Sequence, residues 1–249
     1  MGSLVPVSLL DFARAVSVTD LGRMNLAARS KPEDHQAALS ALYASGDGFA
    51  QRAGRETLSS LALLQDSLKK STLKDAEYPK TDLGNKLKTL SRLLRLELGL
   101  RVATVDMGGW DTHKYQGVGV DGSFANQVAQ LSEALDTFEN DLRENAPNVH
   151  ARTTVVVMTE FGRRLRENAN RGTDHGHGGV FFAFGAGVKG GSVLGKWPGL
   201  ATEKLYERAD VAVANDFRQC LGEIVEARFG AKAGVIFPGF PKGKALGIV

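Results

Sequence analysis

The chain has 249 residues, 43% of them hydrophobic and 24% charged, which is long enough for one large α/β domain or two small ones and free of low-complexity tracts. Its net charge of +3 comes from lysines and arginines scattered among acids, so no basic patch calls for nucleic acid, whereas a small anionic substrate is compatible. A single cysteine, Cys220, excludes an internal disulfide and a thiolate zinc cage, and no apolar run approaches the ~20 residues that span a bilayer.

The opening MGSLVPVSLLDFARAV has neither a basic stretch nor a continuous apolar run, so it does not read as a signal peptide. The first hundred residues read as mostly helical. PEDHQAALSALYA starts with Pro32 and two acids, which suit a helix N-terminus. RETLSSLALLQDSLKK places Leu58, Leu61, Leu64 and Leu68 on one face and ends in lysines, as a C-terminus favours. Pro79 punctuates the chain before LGNKLKTLSRLLRLELG resumes the pattern through Leu83, Leu87, Leu90 and Leu94 and stops at Gly99.

Beyond Gly99 the texture changes. LRVATVDMGG (100–109) reads as a buried strand, and ARTTVVVMTEFG (151–162) as a second, apolar on both faces as central parallel strands are. GGVFFAFGAGV (178–188) reads as a third. Between the first two, residues 123–144 carry Phe124, Val128, Leu131, Leu135, Phe138 and Leu142 at helical spacing, with Ser123 as the cap. Residues 211–230 form a closing helix with Val213, Phe217, Cys220, Ile224 and Val225 on its apolar face. This alternation predicts an α/β fold with a mainly parallel sheet behind a helical N-terminal layer. The whole chain, 1–249, reads as a single domain: a helical segment over 1–99, then an α/β segment over 100–249.

Three polar clusters follow the predicted strands: DMGGWDTH (106–113), TEFGRR (159–164) and TDHGHGG (173–179). Ligands bind at the C-terminal edge of open parallel sheets, so their placement matters more than any one match. Asp111 and His113 can present a carboxylate and an imidazole to one point; the alternative is a turn cap beside a surface histidine. Glu160 follows a wholly apolar stretch and either faces the crevice or pairs with Arg163 or Arg164. An arginine there can also clamp an anionic oxygen. His175 and His177 alternate with glycines beside Asp174, a pattern that packing explains poorly. The competing reading is a loop closed by an Asp174–His hydrogen bond. Imidazole and carboxylate ligands without thiolate suit Zn²⁺, Mn²⁺ or Fe, and calcium less well. His35 and His150 lack an acidic companion motif and read as surface residues.

LRVATVDMGGWDTH, TTVVVMTEFGRRLRENANRGTDHGHGGVFFAFGAGVKGG, GKWPGL, YPKTDLGNKLKTLSRLL and the closing FPGF together resemble a bacterial family of uncharacterised, often twin-arginine-exported proteins. That family is placed in the alkaline phosphatase/sulfatase superfamily. The resemblance implies a three-layer α/β/α sandwich of alkaline phosphatase type, with a metal site that hydrolyses or transfers phosphate or sulfate esters. Asp111 and His113 resemble the acid–histidine pair after one strand, Glu160 stands where an Asp–His pair is usual, and His175 or His177 stands for the later histidine ligand. Phe161 occupies the place of one usual ligand. Nothing in residues 1–30 matches the family's first strand and Gly-rich acidic turn, so the chain reads as a C-terminal portion of the family fold.

The expectation is therefore a metal-dependent hydrolase acting on an anionic ester. Asp111, His113, Glu160, Asp174, His175 and His177 would hold one or two divalent ions, Zn or Mn, and Arg163 would stabilise developing charge. The alternatives are a non-catalytic binding or scaffold protein that retains the fold, and a truncated family member.

Overall fold

The computed structural model describes Ala15, Ser17, Val18, residues 32–241 and residues 243–249. The readings made of residues 1–30 fall almost wholly outside this set. The chain divides into two compact units, Met1–Val105 and Asp106–Val249.

In the first unit, α1 (Pro32–Ala44) and α2 (Phe49–Lys70) form a helical hairpin. Arg55 clamps its turn: the guanidinium donates to the carbonyls of Tyr43 at 2.8 Å and Gly46 at 2.9 Å. The expected face of α2 is present, with Leu58, Leu61, Leu64 and Leu68 all half-buried, and the helix starts at Phe49 rather than at Arg55. α3 (Asp82–Arg95) is capped by Thr81, whose hydroxyl accepts the Gly84 N–H at 3.0 Å. Its buried residues include Leu83 and Leu87, as the spacing predicts. The segment before it runs back alongside: Asp75 lies 2.9 Å from Arg92 Nε and 3.3 Å from Lys88 Nζ.

The second unit contains α4 (Ser123–Asn145), α5 (Pro147–His150), β1 (Thr154–Val157), β2 (Gly162–Arg163), β3 (His175–Gly176) and β4 (Phe182–Gly185). A 3₁₀ turn (Thr202–Lys204), α6 (Phe217–Phe229) and α7 (Ala233–Ile236) follow. α4 spans the predicted residues, but Ser123 is its first helical residue and not its cap. The Ser123 hydroxyl donates to the Gln116 carbonyl at 3.3 Å. The apolar face is deeply buried only toward its C-terminal half, at Phe138 and Leu142, while Phe124 and Val128 are exposed.

The expected three-layer α/β/α sandwich with a mainly parallel sheet, alkaline phosphatase-like, is not the fold. Among the described residues there are two small antiparallel ribbons, β1 with β4 and β2 with β3. Residues 100–110 form no strand. The strands found within the predicted runs 151–162 and 178–188, β1 and β4, are antiparallel, Thr154 opposite Gly185 and Val157 opposite Phe182. The reason lies in what connects them. A parallel pair needs a crossover, usually a helix, that carries the chain back to the starting edge. Residues 158–181 contain no helix; they turn through the β2–β3 ribbon, so the chain returns antiparallel.

One face of the β1–β4 ribbon is covered by α6. Val156 and its cross-strand partner Ala183 point the same way, with Phe181 two residues before Ala183, and all three pack against buried Cys220, Ile224 and Ile248. Thr154 shares the Val156 face and accepts a hydrogen bond from Arg228 Nε of α6 at 2.6 Å. Asp216 caps α6 by accepting the Arg218 N–H, and Gly230 ends it in the left-handed region at φ 66°. Val213 and Phe217, expected on the apolar face, are exposed. The C-terminal strand of chain is held by Glu223, whose carboxylate accepts the N–H groups of Leu246 and Ile248 at 2.8 and 2.7 Å. No helix among the described residues is long and apolar enough to cross a membrane.

Candidate metal centre

The polar loops converge around the short β2–β3 ribbon rather than at a sheet edge. Arg163 pairs with His175 in that ribbon, and the Arg164 N–H donates to the Asp174 carbonyl at 3.0 Å. The 111–116 loop joins them through backbone bonds: Thr173 N–H to the Thr112 carbonyl at 3.1 Å, Tyr115 N–H to Asn170 at 3.1 Å, and Gln116 N–H to Arg171 at 2.8 Å. Gly172 permits this approach, since a Cβ there would lie 2.3 Å from the carbonyl carbon of His113. Two threonines complete the seam: the hydroxyls of Thr112 and Thr173 both donate to Gln116 Oε1, at 2.9 and 2.7 Å.

Among the described residues, Asp111, His113 and His175 place one ligand atom each within 4.8 Å of one another. Asp111 Oδ1 lies 2.9 Å from His113 Nε2 and 2.7 Å from His175 Nε2. Their side chains are 59, 42 and 50% exposed, so solvent reaches the group. The hydrogen bond from His175 is the main reason the Asp111 carboxyl titrates below its ordinary range; the charges of His113, His175 and Arg163 add to it against partial desolvation. His175 is held by ring contacts, with Phe161 stacked at 3.9 Å on centroids and His113 at 4.9 Å. His113 is held by a carboxylate: Asp174 Oδ1 lies 3.0 Å from its Nδ1. Hydrogen bonds from His113 and then Asn168 hold the Asp174 carboxyl below its ordinary range.

These residues fit a divalent cation. Tetrahedral ligands at ~2.0–2.2 Å from a metal sit roughly 3.3 Å apart, and catalytic sites use three protein ligands with one open position. The two contacts at 2.7 and 2.9 Å need to open by only about half an ångström to reach that spacing. A carboxylate and two imidazoles suit zinc or manganese better than calcium.

The family described as "Protein of unknown function (DUF1501)" matches residues 6–232. The chain belongs to that family. Neither a curated protein nor a solved structure matches it. The description of DUF1501 names no activity.

Of the residues singled out in the sequence, Asp111, His113 and His175 come together, with Asp174 adjoining on the far side of His113. Glu160 is exposed and lies outside the group, and Phe161 beside it supplies the face that packs on His175. His177 also lies outside; its ring stacks on Tyr206 at 4.0 Å. The extended backbone ends at Gly176, so the rule that residues two apart share a face no longer applies to His175 and His177. Asp174 bonds His113 across the loops and not a histidine of its own loop.

Arg163 holds the loops together. Its guanidinium donates to the carbonyls of Thr173 at 2.9 Å and Trp110 at 3.0 Å and to Thr112 Oγ1 at 3.1 Å, and it stands 3.4 Å from Asp111. Arg164 turns toward buried Asp210, at 3.6 Å. His150, read as a surface residue without an acidic companion, pairs with Glu139 at 2.6 Å.

Asn168 was not foreseen. Its amide nitrogen lies 3.0 Å from both the Asp174 carboxylate and the His113 carbonyl, while its oxygen accepts the N–H groups of Asn170 and Gly172. The Asn-x-Asn-x-Gly spacing is an Asx-turn signal that sequence reading can find.

Proposed function

We propose that this protein is a metal-dependent hydrolase acting on an anionic ester, with Asp111, His113 and His175 as the cation's ligands. The observation that carries the reading is the convergence of one carboxylate and two imidazoles on a point open to solvent. A divalent cation bound there supplies Lewis-acid chemistry: it polarises an ester oxygen and acidifies water. The chain's own part is to hold three ligand atoms in place and leave room beside them. Phe161 and His113 fix the His175 ring between two faces. Arg163 locks the 110–112 and 173–175 loops to each other. A bound dication would give the cluster, which Arg163 already borders, a net positive charge, and that favours an anionic substrate. A phosphate or sulfate monoester is the substrate class proposed.

The test is metal analysis of purified protein, together with thermal unfolding and hydrolysis of chromogenic phosphate and sulfate esters with added Zn²⁺ or Mn²⁺. Cation at a hundred times its dissociation constant stabilises the folded state by about 2.7 kcal/mol. Absence of bound ion, with no rise in either stability or hydrolysis, would falsify the proposal. A second reading, a binding or scaffold protein, is favoured by one observation. Asp111 already lies within reach of two histidines and an arginine, so the cluster can serve as a cross-loop tie. Cation-induced stabilisation without hydrolysis of any ester decides for that reading.

A further inference from the structure

We propose that Asp174 and Asn168 form a positioning pair that acts through His113, so that Asp174 orients a ligand and is not one itself. The inference rests on the cation site proposed above. An imidazole carries its two nitrogens on different edges of the ring, and the edges of His113 face different groups. Nε2 faces Asp111, the side on which the His175 nitrogen converges, whereas Nδ1 faces Asp174 Oδ1 at 3.0 Å. A carboxylate on the Nδ1 edge accepts that N–H and leaves the Nε2 lone pair aimed at the cation, a known way of fixing the tautomer and rotation of a ligating histidine.

Asp174 is itself held. Asn168 donates to its Oδ1 at 3.0 Å and to the His113 carbonyl at 3.0 Å, so one amide joins the carboxylate to the backbone of the histidine it orients. The Asn168 amide cannot flip without loss, because its oxygen accepts the N–H groups of Asn170 at 2.8 Å and Gly172 at 3.1 Å. The two histidines of the site are thus oriented by different forces. His175 is sandwiched between rings, and His113 is steered by a hydrogen-bonded carboxylate. Of the two, His113 alone is hydrogen-bonded to residues 168 and 174, and His175 feels them through its stacking on His113.

The experiment uses Co²⁺ as the probe on the full chain, with affinity from calorimetry and coordination from the visible absorption of the bound ion. The variants are Asp174→Ala, Asp174→Asn, Asn168→Ala and His175→Ala. Asp174→Ala is expected to bind Co²⁺ about 10–100-fold more weakly, with band positions and intensities unchanged. Asp174→Asn, whose amide oxygen still accepts from Nδ1, should lose less, and Asn168→Ala should fall between it and the parent. His175→Ala should lose both binding and spectrum. A Co²⁺ spectrum that changes in Asp174→Ala or Asp174→Asn makes Asp174 a ligand and overturns the proposal. Parent-like affinity in Asp174→Ala, Asp174→Asn and Asn168→Ala overturns it as well. If Asp174→Ala does not fold, Asp174→Asn and Asn168→Ala carry the comparison. Failure of the cation site itself looks different: the parent does not bind Co²⁺, or His175→Ala binds it as the parent does, and both proposals then fall.

Discussion

Gly172→Ala probes the seam on which the whole site depends. Gly172 is buried and is not among the residues with positive φ, so alanine is conformationally allowed and the effect is steric. The added Cβ would fall 2.3 Å from the carbonyl carbon and 2.4 Å from the carbonyl oxygen of His113, and 2.5 Å from that of Thr112. Ordinary van der Waals contact begins at 3.4 Å, so the two loops must part by about 1.1 Å. Both neighbours are backbone and have no rotamer to yield with. Overpacking of this kind costs about 1–3 kcal/mol, and each kcal/mol lowers the melting midpoint of a protein of this size by roughly 2–4 °C. A metal site tolerates about ±0.2 Å in its ligand distances, so the same movement draws Asp111 and His113 away from His175. Zn²⁺ affinity should drop on the order of tenfold or more, about 1.4 kcal/mol or more. The assay is thermal unfolding with and without Zn²⁺, with Gly190→Ala as control, since a Cβ there meets nothing within 4 Å. A Gly172→Ala protein that melts and binds Zn²⁺ as the parent does would refute the packing of residues 172–174 on residues 112–113.

Glu160→Gln and His177→Ala should leave Co²⁺ or Zn²⁺ affinity unchanged, because both residues lie outside the converging group; titration calorimetry checks this, and a tenfold loss in either puts that residue back among the ligands. Asp216→Ala removes the cap of α6 and should cost about 0.5–2 kcal/mol at neutral pH by chemical denaturation. The Asp216 carboxyl is depressed by its hydrogen bond from Arg218, so its contribution is complete above the ordinary value of 3.8 and disappears as pH falls through the lower folded-state value. The stability gap between parent and variant should therefore shrink only in acid below 3.8, and a gap that persists there contradicts the assignment. Ile224→Ala empties the interface between α6 and the β1–β4 ribbon and should destabilise by about 2–5 kcal/mol in the same assay.

The longer helices were readable because their apolar residues recur at steps of three and four, and Leu83, Leu87, Phe138 and Leu142 are buried as that spacing requires. The short strands lie inside the predicted apolar runs, at 154–157 and 182–185, but their pairing direction was not readable. Local pattern reports that a strand is covered, not which way its neighbour runs; that depends on the connection, and 158–181 supplies no crossover helix. Residues 100–109 are β-branched enough to read as a strand yet join no ladder among the described residues, and a strand needs a ladder. In the site, the Asp-x-His and His-x-His spacings drew attention to the right loops. The sequence could not say that extended backbone stops at Gly176, which sends His177 to Tyr206. Nor could it show that Asp174 reaches across to His113, or that Arg163 spends its donors on carbonyls, since both facts arise between segments far apart in the chain.

That separation has a consequence for folding. His113 and Asp174 are 61 positions apart, and Asp111 and His175 are 64. The cluster therefore closes a long circuit of chain containing α4, α5 and β1, and no fragment holding only one end of that circuit can assemble it. Closing such a circuit costs entropy that grows only slowly with length but must be met before the contacts form. A cation seated between the two ends would work as a removable clasp. Its occupancy would report whether the circuit is closed, and its withdrawal by a chelator would loosen residues 106–176 before it touched the packing of α6.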